Sequence, residues 1–353
     1  MMLEVKPSKA LSLMLDTIKA GHVPMLLGGT GVGKSEIVLE VAEMLSGDRQ
    51  LSFDNIRPTA KQFGFIDMRL SILETIDLSG LPLITEDGEQ RRAFLGNLPI
   101  SGDGVLFLDE FAQSNTSMQS VAGQLIKERR LGEYILPEGW HIVMAGNRST
   151  DRSGANKIVA HAMDRVQPIH FIHDTDDWLS WGFENGVDQK ILSFIKYMPQ
   201  YLWTFDPKLI ESQPSPRSWT RLSDILKVSE DDELLQYHAY SSVGEVASLE
   251  FLNFISLFQD IPNLDVIFEG GGAGIPDGVG LQYATCVGLS TSFQGMDSKK
   301  TTRYFENALR YVQSFPTPEF SMFFSRAVVG CRPELKETKA YVDFRIAHHD
   351  LMV

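Results

Sequence analysis

The feature that most constrains this chain is a glycine-rich segment near its start, GGTGVGKS, which spans Gly28 to Ser35. An apolar run over 23–27 precedes the segment, and a helical pattern follows from Glu36 to Leu45. The outer glycines and the final Lys-Ser pair match the phosphate-loop pattern G-x-x-x-x-G-K-[ST]. Glycine lets the backbone turn so that N–H groups converge on phosphate oxygens, and the helix directs its positive dipole end at the same anion. The sequence therefore predicts a strand–loop–helix unit that binds a nucleoside triphosphate.

The side chains of this loop have separate predicted roles. We expect Lys34 to reach the β- and γ-phosphates and the Ser35 hydroxyl to be a Mg²⁺ ligand. A glycine-rich turn without a ligand is the alternative interpretation, and the flanking strand and helix disfavour it. The predicted nucleotide-binding residues are Gly28, Gly29, Thr30, Gly31, Val32, Gly33, Lys34, Ser35 and Glu36.

Apolar segments that alternate with helical patterns indicate the fold class. After the run at 23–27, four segments predict strands: FGFIDMRL, GVLFLDEF (104–111), HIVMAGN (141–147) and VQPIHFI (166–172). A first helix is expected over 8–20, with Ser8 as its cap and Gly21 as its stop. Buried strands separated by helices predict an α/β fold, a parallel sheet covered on both faces.

The third strand ends in an acidic pair, Asp109-Glu110. In a parallel sheet, ligands gather at the carboxyl ends of the strands, so this pair is expected to face the phosphate loop. Asp109 would hold Mg²⁺, largely through water, and Glu110 would orient or deprotonate an attacking water as a general base. Acidic pairs at strand ends also occur as simple caps, but the apolar strand and the distance from Lys34 favour the catalytic interpretation.

Three further polar residues complete the predicted site. Asn147 ends the fourth strand and can hold the attacking water opposite Glu110, although an Asn beside a Gly is also common in turns. Arg165 closes a helix before the fifth strand and is the candidate for an arginine finger that reaches a neighbour's γ-phosphate. A helix-end Arg that binds carbonyls is the alternative. Arg217, in PSPRSW, lies at the expected start of a helix.

Residues 23 to about 225 resemble an AAA+ ATPase of the MoxR-like group, which is also grouped with dynein-related AAA domains. The resemblance rests on GGTGVGKS, VLFLDEF, the MAGN segment, the DRV segment and PSPRSW in that order. It implies Walker A roles for Lys34 and Ser35, Walker B for Asp109 and Glu110, sensor 1 for Asn147, the arginine finger for Arg165 and sensor 2 for Arg217. Val166 stands where Phe is usual, and Arg148 and Arg152 lie close enough to Asn147 to compete for the finger role.

The resemblance also implies a domain organisation. Residues 1–175 would form the AAA+ P-loop NTPase core, with a helix-2 insert near 76–99 and a β-hairpin before sensor 1 near 128–140. Residues 176–235 would form an α-helical lid that carries sensor 2. Residues 236–353 would form an α-helical C-terminal region, because 246–261, 301–315 and 320–330 are amphipathic helix candidates. The glycine-rich segment 270–280 is expected to be a loop, since no Lys-Ser pair follows it.

Composition restricts the partners and the compartment. The net charge is −14 and both halves of the chain are acidic, which disfavours a protein that grips nucleic acid through its phosphates. Cys286 and Cys331 are the only cysteines, so neither a disulfide framework nor a cysteine metal site is expected. No apolar run approaches a membrane span and the N-terminus lacks a signal-peptide core. We therefore expect a cytoplasmic protein.

Together these observations predict a ring-forming ATPase, a homo-oligomer and expected hexamer, that uses ATP and Mg²⁺. The resemblance implies chaperone-like remodelling of a protein client, beside a partner with a von Willebrand factor A domain. Three alternatives remain: a small-molecule kinase that uses the same loop, a nucleic-acid motor or loader, and a nucleotide-gated scaffold that rarely hydrolyses ATP.

Overall fold

The computed structural model describes residues 3–94, 96–148, 158–229, 231–257, 260–293, 296 and 298–348. The chain divides into two compact units that interleave along the sequence. The first unit comprises Met1–Trp181 and Leu202–Ser218, and the second comprises Gly182–Tyr201 and Trp219–Val353. The segment 202–218 thus returns to the first unit after the chain has entered the second. The domain boundaries at 175 and 235 stay predictions.

The first unit contains all the strands of the described chain. They are β1 (Glu4–Val5), β2 (Pro24–Gly28), β3 (Gln50–Phe53), β4 (Gln62–Arg69), β5 (Leu81–Ile84), β6 (Gln90–Ala93), β7 (Gly104–Asp109), β8 (Arg130–Leu131), β9 (Tyr134–Ile135), β10 (Trp140–Gly146) and β11 (Gln167–Phe171). Seven of them form one sheet in the order β1-β11-β2-β10-β7-β4-β3, and every neighbouring pair is parallel.

This strand order fixes where a ligand can bind. The chain leaves β2 in one direction and returns on its other side with β11, so β2 lies at the switch point of the sheet. Crevices at the carboxyl ends of strands beside such a point bind ligands in open α/β sheets. The residues that follow β2, β10 and β7 therefore lie together at one edge of the sheet.

The strands are apolar because both faces of the sheet are covered. Along β7, Val105 and Phe107 join one core cluster, whereas Leu106 and Leu108 join the other. Successive side chains of a strand point to opposite faces, so a doubly covered strand needs a continuous apolar run. The edge strands β1 and β3 are short and carry fewer buried residues, and the sequence patterns did not predict them.

The described chain has fifteen α-helices, which are divided between the two units. They are α1 (Pro7–Lys19), α2 (Lys34–Ser46), α3 (Thr75–Ser79), α4 (Thr116–Glu128), α5 (Ala160–Met163), α6 (Thr175–Glu184), α7 (Gln189–Tyr197), α8 (Pro216–Val228), α9 (Leu235–Val243), α10 (Glu245–Ser256), α11 (Leu264–Phe268), α12 (Val279–Ser292), α13 (Ser298–Val312), α14 (Glu319–Cys331) and α15 (Lys339–Ala347). None of these helices is long and apolar enough to cross a membrane. The predicted fold class is confirmed: a parallel sheet with flanking helices, with a phosphate loop after a central strand, followed by helical regions.

Two antiparallel hairpins extend from the first unit. Strands β5 and β6 pair from Leu81↔Ala93 to Ile84↔Gln90, within the segment 76–99. Strands β8 and β9 pair within the segment 128–140. The tip of the first hairpin turns at Gly88, whose φ of 78° favours glycine.

The second unit of the described chain is helical and is held by aromatic side chains. The Phe194 ring lies 5.4 Å from Trp219, 5.5 Å from Phe251 and 5.7 Å from Phe254, measured between ring centroids. Aromatic pairs at these separations add about 0.5–1.5 kcal/mol each beyond their buried area. The glycine-rich segment is a loop up to Gly278, the N-cap of α12, and the helix begins at Val279.

The cap predicted for the first helix is wrong. Helix α1 begins at Pro7, its N-cap is Lys6, and Lys6 makes no side-chain cap hydrogen bond. The Ser8 N–H instead donates to the Asp177 carboxylate of α6 at 2.8 Å. Proline at the first position removes one unsatisfied N–H, and a carboxylate distant in sequence accepts the next. Sequence proximity could not reveal this cap.

Replacing the distant cap should destabilise the first unit. We expect Asp177→Ala to lower the free energy of unfolding by about 1 kcal/mol, the usual effect of losing a cap acceptor. Asp177→Asn keeps an acceptor oxygen and should retain most of that stability. Denaturant unfolding of both variants measures the difference. If Asn is as harmful as Ala, the ion pair with Lys6 at 3.6 Å dominates instead.

Candidate functional site

The phosphate loop joins the end of β2 to the start of α2. Gly31 and Gly33 have φ angles of 74° and 96°, in the left-handed region where a side chain is strained. Val32, between them, is buried in a core cluster, so only its backbone can face a ligand. Glu36 lies exposed in the first turn of α2. The loop therefore has the backbone conformation that its glycines predict.

Lys34 lies at the centre of the site. Its ammonium donates hydrogen bonds to the Gly28 carbonyl at 3.0 Å, the Gly29 carbonyl at 2.7 Å and the Asn147 Oδ1 at 2.8 Å. Charge-assisted hydrogen bonds of this length are about twice as strong as neutral ones. The structure thus brings together the predicted phosphate-binding Lys and the predicted water-holding Asn.

Both polar groups of the Asn147 side-chain amide, the oxygen and the NH₂, form hydrogen bonds. Its side-chain NH₂ donates to the Thr30 hydroxyl at 3.3 Å, while its oxygen accepts from Lys34. Because only 8% of Asn147 is exposed, leaving either group without a partner would be costly. Asn147 therefore links the end of β10 to two positions of the phosphate loop.

The two predicted metal ligands face each other. The Ser35 Oγ and the Asp109 Oδ2 are 3.4 Å apart, and the other Asp109 oxygen accepts the Glu110 N–H at 2.7 Å. Neighbouring ligands of an octahedral Mg²⁺ lie about 3 Å apart at the usual metal–oxygen distance. A hydroxyl and a carboxylate oxygen are also the hard donors that this ion prefers. These residues fit Mg²⁺.

Glu110 is tied to a residue that sequence reasoning missed. Its backbone is left-handed, with a φ of 55°, and its carboxylate accepts a hydrogen bond from the Ser71 hydroxyl. Ser71 lies just beyond β4, where Arg69 is the register partner of Asp109. The signal that could have found Ser71 is this pairing between neighbouring parallel strands. The contact holds the predicted general base at the end of β4.

A cavity of about 430 Å³ opens beside this acidic edge. Asp67 of β4 lines it, and burial, together with the carboxylates of Asp109, Asp54 and Glu110, raises the pKa of Asp67. The Arg69 guanidinium, 3.8 Å from Asp67, acts in the opposite direction. Negative charge therefore accumulates where the strands end.

Arg165 and Arg217 occupy different surroundings. The Arg165 guanidinium donates to the Gly123 carbonyl of α4 at 2.6 Å, so it lies on a helix of its own unit rather than at the phosphate loop. The Arg217 N–H, at the start of α8, donates to the Gly31 carbonyl at 3.4 Å. Arg217 is exposed and only its backbone N–H is bonded to the loop here, so its sensor role stays a prediction.

The rival finger residues are only partly described. The Arg148 guanidinium forms an ion pair with Glu4 of β1, which ties it to the edge of the sheet. Arg152 lies outside the described residues. The structure therefore gives Arg148 a partner within the first unit and leaves the choice of finger a prediction.

No family model matches the chain, and no curated protein matches it. A mutant of RuvB from Thermotoga maritima is 16% identical, with a TM-score of 0.37 over 86% of this chain and 86% of RuvB. NtrX from Brucella abortus in complex with ADP is 12% identical, with a TM-score of 0.38 over 93% of this chain and 67% of NtrX. These similarities are low, and the fold class rests on the strand order and the phosphate loop of this chain.

Neutralising Asp67 should stabilise the protein at neutral pH. Its pKa is raised in the folded chain, so the unfolded chain holds the negative charge more favourably and the folded state loses stability as the group ionises. We expect Asp67→Asn to raise the unfolding temperature at neutral pH. The gain should shrink as the pH falls and vanish only below about pH 3, where both states bind the proton. Thermal unfolding across this pH range measures it.

Asp48→Asn, at an exposed position, controls for the loss of one negative charge. A lower unfolding temperature for Asp67→Asn at neutral pH would mean that the ion pair with Arg69 outweighs burial and repulsion.

Proposed function

We propose that this chain is an AAA+ ATPase of the MoxR-like group that binds ATP with Mg²⁺ and hydrolyses it. The observation that carries the proposal is the hydrogen bond between the Lys34 ammonium and the Asn147 amide at 2.8 Å. It joins a phosphate-binding side chain to a polar residue at the end of the neighbouring strand. Ser35 and Asp109 adjoin this pair, so phosphate, metal and water ligands converge at one edge.

Each residue of the site has a separate role in the proposed reaction. The loop N–H groups and Lys34 bind the phosphates, and Ser35 with Asp109 would hold Mg²⁺, which neutralises charge on the β- and γ-phosphate oxygens. Asn147 orients the attacking water. Glu110 accepts the water proton as the oxygen attacks the γ-phosphorus and the bond to the β-phosphate oxygen breaks, releasing ADP and phosphate.

The proposed site is completed by a neighbouring copy. We propose Arg165 as the group that reaches another copy's γ-phosphate. Its guanidinium binds the Gly123 carbonyl, as a structural Arg also would, so it must leave this carbonyl to act as the finger. A head-to-tail interface of this kind closes into a ring, and we propose a hexamer. An arginine finger contributes about 10³–10⁵ in rate, or about 4–7 kcal/mol of the barrier.

Exposed apolar side chains on the first hairpin support the proposal of a protein client. Strand β5 carries Leu83, 51% exposed, and Ile84, 82% exposed, in an antiparallel ribbon of the first unit. Exposed apolar side chains at such a position support contact with another polypeptide. We propose chaperone-like remodelling of a client, with a von Willebrand factor A domain protein as partner, in the cytoplasm. The net charge of −14 supports a protein client over nucleic acid.

Complementation between two inactive variants should test the shared site. We expect Lys34→Ala to lose ATP binding, while Arg165→Ala and Glu110→Gln each keep binding and lose turnover, Arg165→Ala by about 10³–10⁵-fold. Mixing Arg165→Ala with Glu110→Gln should restore part of the activity. The reason is that some interfaces then pair an intact Glu110 with an intact Arg165. Phosphate release at fixed total protein measures it.

In a second series, Lys34→Ala is mixed with Arg165→Ala over the same ratios. Restored activity in these mixtures would show that a subunit that cannot bind ATP blocks only its own site. Failure of every mixture would show that Arg165 acts within its own chain or not at all. Formation of ADP that needs an added acceptor and releases no free phosphate would favour the kinase, and stimulation by DNA or RNA would favour the motor.

A further inference from the structure

The segment 202–218, here called the strap, contacts the phosphate loop at both of its ends. The Trp203 indole N–H donates to the Thr30 carbonyl at 3.1 Å, and the Arg217 N–H donates to the Gly31 carbonyl at 3.4 Å. A Cβ placed on Gly31 would lie 2.9 Å from the Ser215 hydroxyl oxygen, so the strap packs directly on the loop backbone. No motif in the sequence indicated the contact made by Trp203.

The strap is internally closed. The Thr204 N–H donates to the Pro214 carbonyl at 3.0 Å, and the Asp206 N–H donates to the Gln213 Oε1 at 2.6 Å. These bonds join the two arms of the segment near its base. Trp203 and Arg217 therefore belong to one closed loop of the chain rather than to two independent segments.

The Trp203 ring is fixed by packing on both the loop and the sheet edge. A Cβ placed on Gly29 would lie 2.8 Å from Trp203 Cζ2, so the ring covers the Gly29 backbone. The His173 ring, just beyond β11, stacks on Trp203 with centroids 5.1 Å apart. Burial lowers the pKa of His173 despite the opposing charge of Asp174, and the nearby Arg148 lowers it further, which favours the neutral ring in this stack. The indole N–H is thus aimed at one carbonyl.

The geometry of the peptide bond links the Trp203 contact to anion binding. The Thr30 carbonyl and the Gly31 N–H belong to one planar trans peptide, so they point in opposite directions. When Trp203 holds the carbonyl on the strap side, the Gly31 N–H is turned to the other side. In the same way the Arg217 N–H orients the next peptide and turns the Val32 N–H. Phosphate loops bind anions through such N–H groups.

We propose that Trp203 is a positioning residue for the phosphate cradle: it holds the Thr30–Gly31 peptide so that the Gly31 N–H faces the phosphates of ATP. Thr30 is then held from two sides, its carbonyl by Trp203 and its hydroxyl by Asn147. This inference rests on the proposed function, because it needs a nucleotide at the loop. It adds a residue that the motif does not contain.

The test removes one N–H and keeps an aromatic ring. We expect Trp203→Phe to bind ATP about 2- to 10-fold more weakly, the effect of one lost hydrogen bond. Trp178→Phe is the matched control, because Trp178 is buried in the same unit and its indole N–H has no hydrogen-bond partner among the described residues. The affinity is measured by calorimetry with ATP and Mg²⁺ in the Glu110→Gln background, which prevents turnover.

A second readout separates positioning from general stability. Without nucleotide, Trp203→Phe and Trp178→Phe should unfold within a similar temperature range, but saturation with a fixed ATP concentration should raise the unfolding temperature less for Trp203→Phe. Equal ATP affinity of Trp203→Phe and Trp178→Phe overturns the positioning role while leaving the proposed function intact. Absence of ATP binding by the parent Glu110→Gln protein, together with absence of turnover by the unaltered chain, overturns the proposed function itself.

Discussion

The chemistry of this chain depends on three strand ends that meet at one edge of a parallel sheet. Because β10 lies between β2 and β7, the residue after β10 reaches the phosphate loop, and the last residue of β7 reaches Ser35. Neighbouring strands are about 4.8 Å apart, so exchanging any two of them would break contacts of 2.8–3.4 Å. The strand order is therefore a condition for the site and not only a description of the fold.

Negatively and positively charged side chains lie together at this edge of the sheet. Burial and the nearby carboxylates, among them Asp109 and Glu110, raise the pKa of Asp67. The Lys34 ammonium, at the start of α2, binds Asn147 just beyond β10. A divalent cation and a triphosphate would add charges of both signs. The chain also makes contacts to these groups itself: Lys34 binds carbonyls, and Glu110 accepts from Ser71. Each of these contacts involves an atom that the proposed reaction needs.

Local patterns predicted much of this structure because they reflect local physics. The glycines of the loop, the apolar runs of the covered strands and the polar residues at the strand ends each follow from backbone conformation or burial over a few residues. The Lys34–Asn147 contact joins two motifs that were each visible alone. Strands β1 and β3 were missed because short edge strands bury too little apolar surface to leave a pattern.

Other features could not be predicted because they depend on partners distant in sequence. The Ser8 N–H is capped by Asp177, Glu110 is held by Ser71, and Thr30 is held by Trp203. None of these partners belongs to a motif, and each is chosen by the tertiary arrangement. The interleaving of the two units has the same origin, since no change in composition marks the return of the chain at 202.

That return has a consequence for biosynthesis. Thr30 leaves the ribosome 173 residues before Trp203, the residue that fixes its carbonyl. At about 5–20 residues per second, translation needs about 10–35 s to cover that interval. During this time the nascent chain carries the whole glycine-rich motif without the segment that covers it. The first unit therefore cannot reach its final form while it is being made from the N-terminus alone; it must wait until part of the second unit has been synthesised.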